Sequence, residues 1–228
     1  MVNVLYEDNQ VIVVIKPQNV PSQADASGDV DLLTEVKAYV KEKYNKPGEA
    51  FIGLVHRLDR PTGGIMVFAR NSKSAARLSA QLQNGQMKKT YYAVTNGVPK
   101  QKSGNLVNYL KKDEKNNVVK IAPQSEEGVK KAELSYKVLQ NDEKFALCEI
   151  NILTGRSHQI RVQMVGIGCP LVGDNKYGAG GARLGLWAGK LEFIHPVTKT
   201  AMVFVAPPEL TEAPWNKFYM EKYFKRSF

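Results

Sequence analysis

The run VIVVIKP, from Val11 to Pro17, constrains this chain more than any other segment. Its consecutive β-branched residues are stiff at χ1 and disfavour helix, and an unbroken apolar run leaves no face for water. It predicts a buried strand that proline ends. IMVFA, after Gly63-Gly64, predicts a second apolar strand, and KKTYYAV, AELSYKVLQ and FALCEINIL predict others. Two helices are legible between them. DLLTEVKAYVKEKY places Leu32, Val36, Tyr39 and Val40 at helical spacing behind an Asp31 cap. NSKSAARLSAQLQNG carries an Ala75, Leu78, Leu82 stripe, with Ser72 to cap it and Gly85 to close it.

Less regular stretches lie between. Gln18 to Asp29 is polar and turn-rich, and Lys111 to Lys131 is a charged, weakly periodic segment that predicts a mobile hairpin or loop with solvated charges. A third helix is expected from about Gly155 to Val165, and the proline-bearing GLWAGKLEFIHPVTKTAMVFVAPP predicts strands at a sheet edge. Strands and helices are interspersed without strict alternation, and there is no G-x-G-x-x-G, no P-loop and no internal repeat. The expected class is α+β, one compact domain over residues 1–228.

Lysine and arginine total 32 against 22 acids, a net charge of +10. That excess suits a polyanionic partner, with nucleic acid ahead of an anionic membrane. Cys148 and Cys169 have no metal-ligand spacing and suggest no disulfide framework. The amino terminus lacks the order of a signal peptide, and no apolar run approaches a membrane span. A soluble cytoplasmic protein is the expectation.

Within that frame, VHRLDRPTGG sets one carboxylate, Asp59, between Arg57 and Arg60 ahead of a turn. A neighbouring arginine keeps an aspartate ionised, which suits a nucleophile or base better than a proton donor. Pro61 disfavours helix at Arg60, so the segment predicts a loop leading into the strand at Ile65. Two readings stand here: a satisfied structural ion pair, or an acid acting on something the arginines attract. TGRSHQIRVQM is the second constellation. Thr154 is a candidate cap, Gly155 leaves first-turn amides open to an anion, and Ser157, His158 and Arg161 fall on one face. An ordinary amphipathic helix explains the same residues. His158 has no ligand partners at zinc spacing. In KKTYYAV, strand parity sends Tyr91 and Tyr92 to opposite faces, one for the core and one free to stack on a base, without saying which.

HRLDRPTGG, KKTYYAV, TGRSHQIRVQM, PLVGDNKYG and FIHPVTKTAMVFVAPP together resemble, in order and spacing, the RluA-type pseudouridine synthases, from about Val4 to Pro208. The resemblance implies the pseudouridine synthase fold, a mixed, largely antiparallel sheet flanked by helices and loops, with a catalytic cleft. It implies isomerisation of uridine in ribosomal (large-subunit) or transfer RNA, with no cofactor and no metal. Asp59 resembles the essential catalytic aspartate, Tyr91 of the K-x-Y block the residue that stacks on the base and assists proton removal, and Arg161 the basic partner of the aspartate. Arg57 resembles the arginine that fills the space of a flipped base, and His56, Arg60, Arg156, His158 and Gln159 are the further candidates for RNA contact.

Two positions depart from the usual pattern, Gly63 in place of serine and Gln163 in place of histidine; they bear on loop geometry or RNA contacts. The strand pattern begins within the first few residues, so recognition is expected to rest on the catalytic domain's own surface, without an S4-type module. The tail Asn216 to Phe228, basic and aromatic, either assists or forms an amphipathic helix. A monomer is expected. The alternative is an RNA-binding or ribosome-assembly protein that retains the fold without activity. A glycosidase fits poorly, because it needs paired carboxylates and the matched blocks add only Asp174 to Asp59.

Overall fold

A computed structural model describes residues 2–45 and 47–224. The chain forms two compact units, Met1–Lys89 with Ala188–Ala206, and Thr90–Trp187 with Pro207–Phe228.

In the first unit, β1 (Asn3–Glu7), β2 (Val11–Lys16), β4 (Gly63–Ala69), β10 (Leu186–Ile194, in this unit from Ala188) and β11 (Ala201–Val205) are neighbours in that order. The short β3 (Gly53–Leu54) lies beside β4. β2 and β4 run antiparallel from Val11 opposite Ala69 to Lys16 opposite Gly64. Val11 to Val14 are fully buried, as the unbroken apolar run requires. Val11 and Val13 join a core with Ile65, Val67, Leu191 and Phe193, onto which α2 (Ser72–Gln83) brings Leu78. α1 (Leu32–Lys43) buries Leu32, Val36 and Val40 and is capped by Asp31, as expected. The cap of α2 is Asn71, not Ser72. Its Oδ1 accepts from the Ser74 N–H while its Nδ2 donates to Asn9 O, which ties the helix start to the β1–β2 turn.

The second unit is an antiparallel sheet whose strands are not in sequence order. β5 (Lys88–Asn96, in this unit from Thr90), β9 (Phe145–Ile152), β8 (Lys130–Asn141), β6 (Ser103–Asp113) and β7 (Val118–Ala122) lie in that order. β6 was not legible, because Gly104, Asn105 and Asn108 are poor strand formers. Its glycine is covered by a ring: a Cβ at Gly104 would stand 3.0 Å from Tyr136 Cε1. The charged segment forms a hairpin, with Lys111 opposite Lys120. Glu126 pairs with both lysines.

Two expectations need correction. Of the two strands in the proline-bearing segment, β11 alone lies at an edge; β10 lies between β4 and β11, and Pro196, Pro207 and Pro208 fall outside both strands, where they obstruct no ladder. Among its described residues the tail is not an amphipathic helix. Two 3₁₀ turns, Trp215–Lys217 and Glu221–Tyr223, anchor it through buried Trp215 and Met220, and the Gln140 side chain bonds the Tyr219 backbone through both its ends. Residues 225–228 of the tail lie outside the described residues.

Gly64 allows the closest backbone approach in the first unit. Its φ is +128°, and a Cβ there would lie 2.3 Å from Ala188 O. Gly64→Ala is therefore expected to destabilise the fold by about 3 kcal/mol or more in denaturant titration, from strain and overlap combined.

Candidate active site

The Asp59 loop is held by the polar, turn-rich segment that begins at Gln18. Leu58 donates its N–H to Ser22 Oγ at 3.1 Å, and that hydroxyl donates to Leu58 O at 2.8 Å. Asn19 N–H donates to Arg60 O at 2.8 Å, and Gln18 Nε2 to Pro61 O at 3.0 Å. Thr62 N–H closes the turn on Asp59 O at 2.9 Å.

Beneath them sits Lys16, fully buried at the end of β2. Its Nζ donates to Pro17 O at 2.9 Å, Val20 O at 2.6 Å and Arg60 O at 3.0 Å. An ammonium has three N–H donors, so Lys16 donates to all three carbonyls at once only while it is charged. Burial pushes its pKa down to about 7; the negative charge of Asp59 opposes that shift and the Arg60 charge adds to it.

The motif alternates in and out as extended chain does. His56 and Leu58 are buried and Arg57 is exposed. Arg57 has no partner among the described residues. His56 Nε2 accepts the Val67 N–H at 3.1 Å, which fixes the imidazole's proton on Nδ1. Burial, assisted by the charge of Lys89, pushes its pKa to about 3, so it is neutral. Lys89 is itself pushed down to about 8 by burial. Arg60 is already engaged at the surface: it pairs with Asp29 and Asp25 and donates from Nε to Asn19 O.

In the second unit the expected helix starts later than its sequence suggests. α3 spans Gln159–Gly166, and His158 precedes it in the left-handed region, φ 50°, with no side-chain cap. Thr154 does not cap it. Its Oγ1 donates to Gln159 Oε1 and accepts the Glu133 N–H, and Gln159 Oε1 also takes the Arg156 N–H. These bonds hold Thr154 to Arg156 as a loop against β8, and the amides expected to be open there include this bonded one. Gln159 is buried, whereas Arg156 is exposed, with Nε on Lys131 O at 3.0 Å.

Arg161 is buried and grips Asp174 with both arms, Nε to Oδ2 at 2.8 Å and Nη2 to Oδ1 at 2.7 Å. Burial alone raises the Asp174 carboxyl, but the Arg161 bonds and charge, with the Lys176 and Tyr177 N–H groups, outweigh it and hold the pKa below the ordinary value. The Arg161 guanidinium also lies 5.0 Å from the Tyr177 ring centre. Tyr177 Oη accepts the Val119 N–H at 2.7 Å and meets His158 Nδ1 at 2.6 Å. Asp174 and Tyr177 escaped sequence reasoning as members of this cluster, although PLVGDNKYG placed them three residues apart.

Gln163, the departure from the usual histidine, is buried, with Nε2 on Leu106 O and Asn108 Oδ1, so it is a packing residue of the second unit. Tyr91 and Tyr92 are both buried. Tyr92 packs on the tail rings of Tyr223 and Phe224, and burial, with the Glu149 and Tyr223 charges, pushes its hydroxyl up to about 12. No helix among the described residues is long and apolar enough to cross a membrane.

A family model described as RNA pseudouridylate synthase matches residues 10–165, and the chain belongs to that family of RNA-acting isomerases. An uncharacterized RNA pseudouridine synthase of Bacillus subtilis (strain 168), YhcT, is 32% identical over 212 residues, covering 90% of this chain and 68% of its own. The ribosomal large subunit pseudouridine synthase C of Vibrio parahaemolyticus is 31% identical over 217 residues, covering 90% and 65%. The chain thus spans about two thirds of the length of these relatives. Human RNA pseudouridylate synthase domain containing 4 shares the fold, with a TM-score of 0.76 at 23% identity over 91% of this chain and 89% of that one.

Two outcomes follow from the buried cations. Lys16→Met strands the carbonyls of Pro17 and Val20, while Arg60 O keeps the Asn19 N–H, and is expected to lower unfolding free energy by about 2 kcal/mol or more in denaturant titration. Asp59→Asn removes the charge that supports the ammonium, so the Lys16 pKa, followed by NMR of the lysine side chains, should fall below its wild-type value. His56 adds a pH term. Its folded pKa lies below its unfolded value of 6.5, so the unfolded chain binds the proton first and stability falls as pH drops from about 6.5 toward 3. Stability measured against pH in His56→Gln should lack that one-proton component.

Proposed function

We propose that this chain converts uridine to pseudouridine in structured RNA, with large-subunit ribosomal RNA as the favoured substrate and transfer RNA as the other candidate. The observation that carries the reading is the Asp59 loop, whose acid stands on a backbone pinned by Lys16, Ser22 and Asn19. A group that stabilises charge in a transition state must be held in place beforehand, and this loop is held from three sides. The net charge of +10 and the relative named for the large ribosomal subunit support the choice of RNA.

The target base is extruded from its stack at a cost of a few kcal/mol. Arg57, exposed beside Asp59, is the side chain for the vacated space. Asp59 acts on the sugar or base as the N1–C1′ bond breaks. The base turns, C5 bonds to C1′, the hydrogen on C5 leaves to water and N1 takes a proton. The reaction is an isomerisation without net oxidation or reduction. Tyr91 stacks on the base and assists removal of the C5 proton, and Arg161, braced by Asp174, supplies the positive charge of the site. Among the other candidates, Arg156 remains exposed for phosphate, whereas His56, His158 and Gln159 serve by positioning the loops around them.

RNA carrying tritium at uridine C5 provides the test. Wild-type protein is expected to release the label to water and Asp59→Asn to release none while still binding RNA; turnover by Asp59→Asn would sink the assignment. Tyr91→Phe should keep binding and lose much of the rate, whereas Tyr92→Phe should change little. Equal damage from the two would contradict the roles given to opposite strand faces. RNA bound tightly without release by any form would favour the non-catalytic alternative.

A further inference from the structure

A second cationic feature lies outside the Asp59 loop and the segment that holds it. A groove of about 300 Å³ is lined by Arg77, Ala80, Gln81, Gln86, Ile194 and Lys199, where α2 meets the turn joining β10 to β11. Arg77 Nη1 and Lys199 Nζ both donate to the same oxygen, Pro196 O, each at 3.0 Å. Two positive charges are thereby drawn to one carbonyl, and neither has a carboxylate partner among the described residues.

Several other exposed cations instead have an acid. Lys111 and Lys120 share Glu126, Lys131 pairs with Glu133, Lys190 with Glu192, and Arg183 with Glu212. No Asp or Glu occurs between Arg60 and Lys112, so none lies near Arg77 in sequence. Like charges brought together without an acid repel, and an anion between them removes the repulsion.

The frame around the pair is rigid. Gln81 is buried and locks the end of β10 by both amide atoms, Nε2 to Ile194 O at 2.7 Å and Ile194 N–H to Oε1 at 2.8 Å. The turn itself is fixed by His195, whose Nδ1 accepts the Thr198 N–H at 2.9 Å while Nε2 meets Asp8 at 2.8 Å. Lys199 occupies this turn at φ 63°, a left-handed conformation that suits glycine or asparagine.

We propose that this groove binds a phosphodiester of the RNA substrate, with Arg77 and Lys199 as its two donors. Arg77, Ala80, Gln86 and Lys199 are exposed, so the mouth is open along its length and a polymer backbone can enter from the side. The assignment of RNA rests on the function proposed above; the anion chemistry of the groove does not. Its role is to position the substrate, since phosphate contacts set register and carry no base information.

The test is the salt dependence of binding to a transcript of large-subunit ribosomal RNA, compared among wild type, the Arg77→Gln/Lys199→Gln double variant and Lys41→Gln. Lys41, exposed and paired with Glu49, controls for a general loss of charge. The double variant should bind about tenfold more weakly near 0.1 M salt, with the slope of log K against log salt flatter by about 0.7–0.9 for the phosphate lost. Tritium release at saturating RNA should be retained while KM rises. Circular dichroism confirms that the variants are folded.

Unchanged affinity and slope would overturn the RNA assignment. Inorganic phosphate, titrated alone and followed by NMR, separates the remaining source: shifts in the wild type that vanish in the double variant, with RNA binding unaltered, would make the groove a free-phosphate site. Groove-dependent RNA binding by a wild type that releases no tritium would keep the groove and remove the proposed activity instead.

Discussion

A fully buried ammonium governs the first unit. Lys16 ends the most apolar strand of the chain, where an unpaired charge would be prohibitive, and it is tolerable only because three carbonyls converge on it. Those carbonyls belong to Pro17, Val20 and Arg60, so one side chain binds the exit of β2 to the loop that carries Asp59. Its charge and the Asp59 charge support one another, while Arg60, the neighbour in sequence, turns to Asp25 and Asp29. The question of whether an acid between two arginines is merely neutralised by them therefore has a divided answer. Arg60 has other acids, and Arg57 faces outward.

The second unit relies on a comparable device of opposite construction. Arg161 and Asp174 are a buried pair made bidentate by a planar fork, with two backbone N–H groups completing the carboxylate. A buried pair is weak evidence for stability, since desolvation offsets most of the attraction, but its geometry orients whatever it touches. Here it fixes a guanidinium over the Tyr177 ring and joins α3 to the segment after it. Such rigidity suits the charge role proposed for Arg161, because a misplaced charge loses much of its effect.

The elements that could be read in advance were those whose signal is local. The β-branched run at Val11, the Asp31 cap and the Leu78 stripe each act within a few residues, and each appears where the pattern put it. The failures share a cause. β6 takes its strand character from Tyr136 on a neighbouring strand, which covers Gly104. The start of α3 is delayed because Gln159 reaches back to the Arg156 amide and Glu133, a competition that Thr154 as a cap does not reveal. The tail forms short turns because Trp215 and Met220 are more valuable buried than aligned on a helix face.

Local residue patterns and motif order by themselves determined the α+β class, the family and the identity of the candidate acid, since residue types in a fixed order survive any arrangement of the chain. They could not distinguish which cations are engaged. Lys16, Arg60 and Arg161 look alike as letters, yet one is buried under carbonyls, one is neutralised by two surface acids, and one is clamped to Asp174. Nor could they show that Arg77 and Lys199, more than a hundred residues apart, meet at one carbonyl without an acid. The charge state and reach of an ionisable group depend on what other segments bring to it, and only the tertiary structure decides that.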